Sequence, residues 1–146
     1  MPKQQDTTKR VITFGVWDLL HVGHVRFLER AKCLGTELTV GVCGDQLVYN
    51  DKRQFPVIPA NQRVAMLAAL RCVDHAVLYH RKNFVDLLRA HQPHVMAVGP
   101  NWGQPGQDGT AYKNAEDWMQ RHNGTIVTIR RTRGVSSTRI RNQLGQ

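Results

Sequence analysis

Residues 11–24 read Val11-Ile12-Thr13-Phe14-Gly15-Val16-Trp17-Asp18-Leu19-Leu20-His21-Val22-Gly23-His24. Val11 to Phe14 are apolar or β-branched, as a buried strand requires. Gly15 ends that strand where the backbone must turn. Past His24, the apolar residues Val25, Phe27, Leu28 and Ala31 recur at helical spacing. Two imidazoles therefore stand where a strand gives way to a helix. A helix start offers free backbone N–H groups and the positive end of the helix dipole, so it attracts phosphate. Gly23 carries no side chain and leaves room for an anion between His21 and His24. Either histidine alone reads as an ordinary polar residue at a helix end. As a pair, split by glycine and preceded by a strand and an acid, they read as a phosphate-handling site.

Working outward, the remaining pattern alternates strands with helices. A helix is expected from about Val22 to Leu34, with Gly35 as its C-cap. Strands are expected at Glu37–Cys43, His75–Tyr79, His94–Gly99 and Thr125–Ile129. Helices are expected after Asn61, over Phe84 to about Pro93, over Ala111–His122 and over Ser136–Gln143. The stretches Gly44–Pro59 and Asn101–Thr110 show no clear period and read as loops. This order implies an α/β fold: a single Rossmann-like domain with a five-stranded parallel sheet and helices on both faces. Such sheets hold ligands at the carboxyl ends of their strands. Gly15, Gly44, Gly99 and Arg130 all lie at such ends. Residues 1–9 are polar and read as a flexible tail before a domain spanning 10–146.

Bulk properties narrow the classes. The chain has 146 residues, 41% hydrophobic and 21% charged, as a soluble globular domain has. No apolar run reaches membrane-spanning length, and the first residues lack the apolar core of a secretory signal, so a cytoplasmic protein is expected. Cys33, Cys43 and Cys72 have no metal-like spacing and read as reduced, buried filler. A net charge of +9 calls for anionic partners. Arg130, Arg131, Arg133, Arg139 and Arg141 crowd the C-terminal stretch, without interleaved aromatics or a known nucleic-acid motif. Nucleotides and phosphorylated metabolites are thus favoured over nucleic acid.

A second motif, Arg131-Thr132-Arg133-Gly134-Val135-Ser136-Ser137-Thr138, places hydroxyls and an arginine at another helix start. That is a phosphate cradle, or else a Ser/Thr cap on a basic surface helix.

The two motifs together carry a resemblance. HVGH after GVWDLL resembles the HxGH signature of the nucleotidyltransferase superfamily, related to the HIGH motif of class I aminoacyl-tRNA synthetases. RTRGVSST resembles the RTxGxSTT stretch of the cytidylyltransferase family within it. The nearest pattern is that of glycerol-3-phosphate cytidylyltransferases, and the likeness runs from Arg10 to about Asn142. The resemblance implies a nucleotidyltransferase that moves CMP from CTP to a small alcohol phosphate such as glycerol 3-phosphate, releasing pyrophosphate.

It also implies residue roles. His21, His24, Lys52 and Arg131 carry the chemistry. Phe14, Gly15, Val16, Gly23, Gly99, Asn101, Trp102, Thr132, Ser136, Ser137 and Thr138 hold the nucleotide. Asp18, Arg53, Arg63 and Arg71 serve the acceptor. Each has a plainer reading: Asp18 as a helix cap, Lys52 and Arg53 as solvated loop charges, Arg63 as a surface charge. Arg71 and Asp74 could instead join subunits. No metal cage is visible, so Mg2+ would arrive with the triphosphate. A homodimer is the expected assembly. Where relatives carry acids, this chain has Gly99-Pro100-Asn101-Trp102, and this leaves open an ATP-using alternative with a sugar-phosphate or FMN acceptor. A non-catalytic nucleotide- or nucleic-acid-binding module is the remaining class, disfavoured by the intact histidine pair.

Overall fold

A computed structural model describes residues 3–104 and 109–145. Residues 105–108, within the expected second loop, and residues 1–2 of the expected tail lie outside the described residues. The strands are β1 (Arg10–Gly15), β2 (Glu37–Cys43), β3 (His75–Tyr79), β4 (Val95–Val98) and β5 (Thr125–Thr128). The helices are α1 (Val22–Lys32), α2 (Asp45–Lys52), α3 (Ala60–Ala68), α4 (Phe84–His91), α5 (Gly109–Arg121) and α6 (Ser137–Gln143). All five strands pair in parallel, in the order β3-β2-β1-β4-β5.

Side chains alternate across this sheet and feed two cores. Val11, Val40, Val42, Val95 and Ala97 face one layer with Leu28 and Ala31 of α1 and Leu67 of α3. Ile12, Met96 and Val98 face the other, with Leu88 of α4 and Ala115 and Met119 of α5. Burial on both sides explains why β2 reads as one apolar run. The chain builds outward from β1 to one edge and then returns to add β4 and β5. Between β1 and β4 the order reverses, and a crevice opens at their carboxyl ends.

Three expectations change. Asp45–Lys52, read as loop, is helical; only Val48 of that helix is buried, so no apolar face marks it in the sequence. Gly35 is not the C-cap of α1, which is Cys33. Glycine is required at 35 because a Cβ there would lie 2.4 Å from the Lys9 carbonyl. Lys9 itself is tied down: its amide donates to Thr36 Oγ1 at 2.8 Å. Cys43 is buried, but Cys33 is exposed and fills no core.

Candidate active site

The turn after β1 is held open by two left-handed residues, Trp17 (φ 59°) and Leu19 (φ 52°). Neither is a glycine, so each stores strain of about 1–2 kcal/mol. The Trp17 indole is buried and its Nε1–H donates to the Gly41 carbonyl at 3.0 Å. Its ring lies over Gly15, where a Cβ would come within 2.8 Å of it. The turn therefore leads the chain into α1 at a set angle.

His21 is the N-cap of α1, and the two histidines form a capping box. The Gly23 amide donates to His21 Nδ1 at 3.0 Å, and the His21 amide donates to His24 Nδ1 at 3.3 Å. Both Nδ1 atoms are thus acceptors, so each neutral ring carries its proton on Nε2. The rings stack with centroids 3.9 Å apart. Burial lowers the pKa of His21, and burial with the neighbouring His21 holds His24 down to about 4. Two neutral N–H donors result, not two cations. Gly23 is explained by the same cap: a Cβ there would sit 2.8 Å from the His21 ring.

An imidazole whose folded pKa lies below its unfolded value near 6.5 leaves the unfolded chain binding more protons, so stability falls as pH drops from about 6.5 toward 4. The His24 ring resonance, followed by NMR, should titrate near 4. A midpoint at 6 or above would contradict the buried, neutral ring.

The histidines open onto a cleft of 340 Å³. From β1 and its turn come Phe14, Gly15, Val16 and Asp18, and from α1 come His21, Gly23 and His24. The end of β4 adds Gly99, and α2 adds Lys52. Burial and the nearby Arg141 pull Lys52 below the ordinary lysine value. The fourth wall is the segment after β5: Arg131, Thr132, Ser136, Ser137 and Thr138. Ser136 caps α6 by accepting the Arg139 amide at 3.0 Å. So the two motifs, more than 100 residues apart in sequence, face one space.

Other expected site residues stand elsewhere. Arg63 is 1% exposed and points inward. Its guanidinium donates to the carbonyls of Ile58 (2.9 Å), Val16 (2.6 Å) and Cys43 (2.8 Å), and it pairs with Asp45 at 2.6 Å. Four of its N–H donors are engaged inside the protein, so it braces the turn after β1 against α2 and residue 58. Arg53 is exposed in a left-handed C-cap of α2, outside the cleft wall. Arg71 is exposed before the amino end of β3, at the far end of the sheet from the crevice. Asp74 serves the fold, accepting from Lys32 and from the Leu38 amide at 2.7 Å. Asn101 is exposed, and Trp102 packs against Phe14, Phe84 and Tyr112 behind the cleft wall.

Asp18 is not the helix cap. It is buried, and its carboxylate accepts the Val57 amide at 2.7 Å, the Ile58 amide at 2.9 Å and the Arg141 guanidinium. Arg141 also lines the cleft and was not among the expected residues. Its spacing held the clue, because on α6 it follows Ser137 by one helical turn.

Residues 12–143 match the family model described as cytidylyltransferase-like. The chain belongs to this family. The family's named members correct the expectation of CTP and a polyol phosphate. A FAD synthase of Methanopyrus kandleri is 41% identical over 126 residues, 84% of this chain and 79% of that protein. A FAD synthase of Thermococcus onnurineus is 42% identical over 102 residues, 69% of this chain and 68% of that protein. The bifunctional protein HldE of Pelobacter propionicus is 32% identical over 134 residues; these cover 90% of this chain but 26% of that protein.

Among solved structures, a lipopolysaccharide core biosynthesis protein from Thermoplasma volcanium shares 27% identity at a TM-score of 0.67, over 86% of this chain and 97% of that one. A pantoate-beta-alanine ligase from Francisella tularensis, at 18% identity and TM-score 0.63, covers 97% of this chain and 67% of that one and shares the fold. The enzyme class, transferase of nucleotidyl groups, stands; glycerol-3-phosphate cytidylyltransferase as the nearest pattern does not. The physical reason is that the residue types of RTRGVSST, hydroxyls and arginines at a helix start, suit phosphate, which CTP and ATP share, so the motif carries no information about the base.

No helix among the described residues is long and apolar enough to cross a membrane. The described residues also contain no cluster of three His, Cys, Asp or Glu able to hold a metal ion. Among the described residues Asp18 is the carboxylate on the cleft wall, and it already accepts from two amides and a guanidinium.

Proposed function

We propose that this chain is an ATP-dependent FMN adenylyltransferase, and that its cleft joins the two nucleotides into FAD. The observation that carries the reading is the 41% identity to a FAD synthase across 84% of the chain. FAD is FMN bearing an AMP unit, so its synthesis is adenylyl transfer to a phosphate monoester. An oxygen of the FMN phosphate attacks the α-phosphorus of ATP. A P–O bond forms there, the bond to the β-phosphate breaks, and pyrophosphate leaves with the electron pair. The attacking phosphate is ionised near neutral pH, its second pKa being about 6, so no general base is required. The work left to the protein is to align two anions and to stabilise charge as it builds.

The residues suit that work. His21 and His24 supply neutral Nε2–H donors, which bind phosphate oxygens without trapping the ground state as two full charges would. The amides at the start of α1 add the helix dipole. Arg131, Thr132, Ser136 and Ser137 hold the polyphosphate from the opposite wall. Lys52 and Arg141 bring positive charge to the corner nearest the 53–59 loop. A divalent ion, Mg2+ in this reading, enters with the triphosphate.

In this reading the acceptor lies beside the loop that follows Lys52, next to the cleft wall, where an exposed aromatic suits a flat ring. Tyr49 and Phe55 stack with centroids 4.5 Å apart, and Phe55 remains 53% exposed on the loop that follows Lys52. An isoalloxazine ring can extend such a stack. Phe55→Ala is therefore expected to raise the KM for FMN by about 5–10-fold, in line with about 1–1.5 kcal/mol for one aromatic stack, while the KM for ATP stays within twofold. Equal changes in both KM values would count against this placement.

A second reading is adenylyl transfer to a sugar phosphate, favoured by the lipopolysaccharide core biosynthesis protein at TM-score 0.67. Pyrophosphate release decides between them when ATP and CTP are each paired with FMN and with a panel of sugar phosphates. ATP with FMN alone is the expected productive pair. Turnover with ATP and a sugar phosphate instead would replace the acceptor and keep the mechanism. A homodimer belongs to the same proposal, and light scattering at micromolar concentration tests it.

A further inference from the structure

Asp18 is placed unlike a substrate-binding acid. Its side chain is 2% exposed. Burial pushes its carboxyl up, but the Ile58 and Val57 amides and the Arg141 guanidinium outweigh that and hold it below the usual carboxylate range. The residues on either side, Trp17 and Leu19, sit in the left-handed region. Strain on both flanks of one buried charge marks a position that the surrounding structure keeps for a purpose.

The contacts of Asp18 join three elements. Its carboxylate holds the amides of residues 57 and 58 and the guanidinium of Arg141 on α6. Its own carbonyl accepts the Ser137 hydroxyl at 2.6 Å, at the first residue of α6. Arg63 grips the Ile58 carbonyl from the other side at 2.9 Å. The 57–58 segment thus has two anchors, and Asp18 is the one shared with the cleft. Arg141 has work left to do: its Nε is buried and finds no partner among the described residues. A polyphosphate entering the cleft draws on the guanidinium that Asp18 also holds.

We propose that Asp18 is a positioning residue that couples the two substrates, tying residues 57 and 58, which this reading sets beside the acceptor, to the cleft wall formed by Ser137 and Arg141. Binding of the nucleotide then tightens the hold on residues 57 and 58, whose amides already rest on Asp18, and acceptor affinity rises with it. The inference rests on the two-substrate transfer reading above, but not on which acceptor is used.

The experiment uses the full chain with Mg2+ and non-hydrolysable α,β-methylene analogues of ATP and CTP. Amide hydrogen exchange at residues 57 and 58 is read by NMR, and FMN binding by flavin fluorescence. The analogue that binds should slow exchange of both amides by about tenfold and tighten FMN binding by about 5–150-fold, the usual span of coupling between sites. In Asp18→Asn, where one carboxylate oxygen becomes an NH2 group facing donors, both effects should vanish. The KM for the acceptor should rise about tenfold while analogue affinity stays within threefold, a split that general loss of structure would not produce. Exchange at 57 and 58 unchanged by saturating analogue in the unaltered protein would overturn the proposal, whether or not the variant folds. Slowed exchange without any FMN binding would keep the clasp and sink the flavin reading instead.

Discussion

His21→Asn is expected to leave the fold intact and to lower kcat for nucleotidyl transfer by about 10²–10³-fold, as loss of one donor to developing charge does in other enzymes. The variant separates two roles of one ring. His21 caps α1 through Nδ1, which accepts the Gly23 amide at 3.0 Å. Asparagine is among the best N-caps and can take over that bond. Its shorter side chain cannot carry a donor to where Nε2–H stands. Stability should therefore hold to within about 0.5 kcal/mol, as at an ordinary tolerant position. His24→Ala should lose rate on the same scale, since it removes the second Nε2–H of the stacked pair. Nucleotide affinity should change far less than kcat in both, because the donors matter most when charge builds on the phosphates. Steady-state kinetics beside direct nucleotide titration reads the split. Loss of nucleotide affinity with kcat preserved would mean that the histidines only bind the ground state.

The second large effect is on stability. Arg63→Met keeps the aliphatic stem but strips the guanidinium from three backbone carbonyls and from Asp45. Buried acceptors left without donors cost about 1–3 kcal/mol each, partly relieved where water reaches Asp45, so a loss of about 3–5 kcal/mol is expected. For a domain of this size that lowers Tm by about 6–20 °C. Arg71→Met, at an exposed site, should stay within about 0.5 kcal/mol of the parent. A Tm for Arg63→Met within 2 °C of the parent would show that the carbonyls find other partners. The same substitution should also loosen the turn after β1 and residue 58, so its activity is best measured well below the lowered Tm.

Arg63 shows where sequence reading stops. On α3 it looks like the charged face of an amphipathic helix, and the resemblance offered it a substrate. Its burial comes from carbonyls 5, 20 and 47 residues away, which no local pattern records. Asp18 is the same case, with partners 39, 40 and 123 residues distant. By contrast, the strand from Val11, the turn at Gly15 and the helix start at His21 were legible, because each rests on a spacing of a few residues. The strand–helix alternation likewise dictated a parallel sheet, and with it the crevice at the carboxyl ends. Helix α2 escaped because one buried residue, Val48, makes no periodic face. The base and the acceptor escaped for a chemical reason. Both sequence motifs have the residue types that suit phosphate, the part that every nucleotide shares, while the residues at the end of β4 depart from the acidic pattern of the family they resemble.

The measurement that tests the account most directly follows the fate of each phosphate. The protein is given Mg2+, FMN and ATP labelled either at the α- or at the γ-phosphorus, and products are separated. The account predicts that α-label passes into FAD while γ-label appears only in pyrophosphate. Label from the γ-position in a phosphorylated acceptor, or no transfer of α-label to any acceptor, would contradict it.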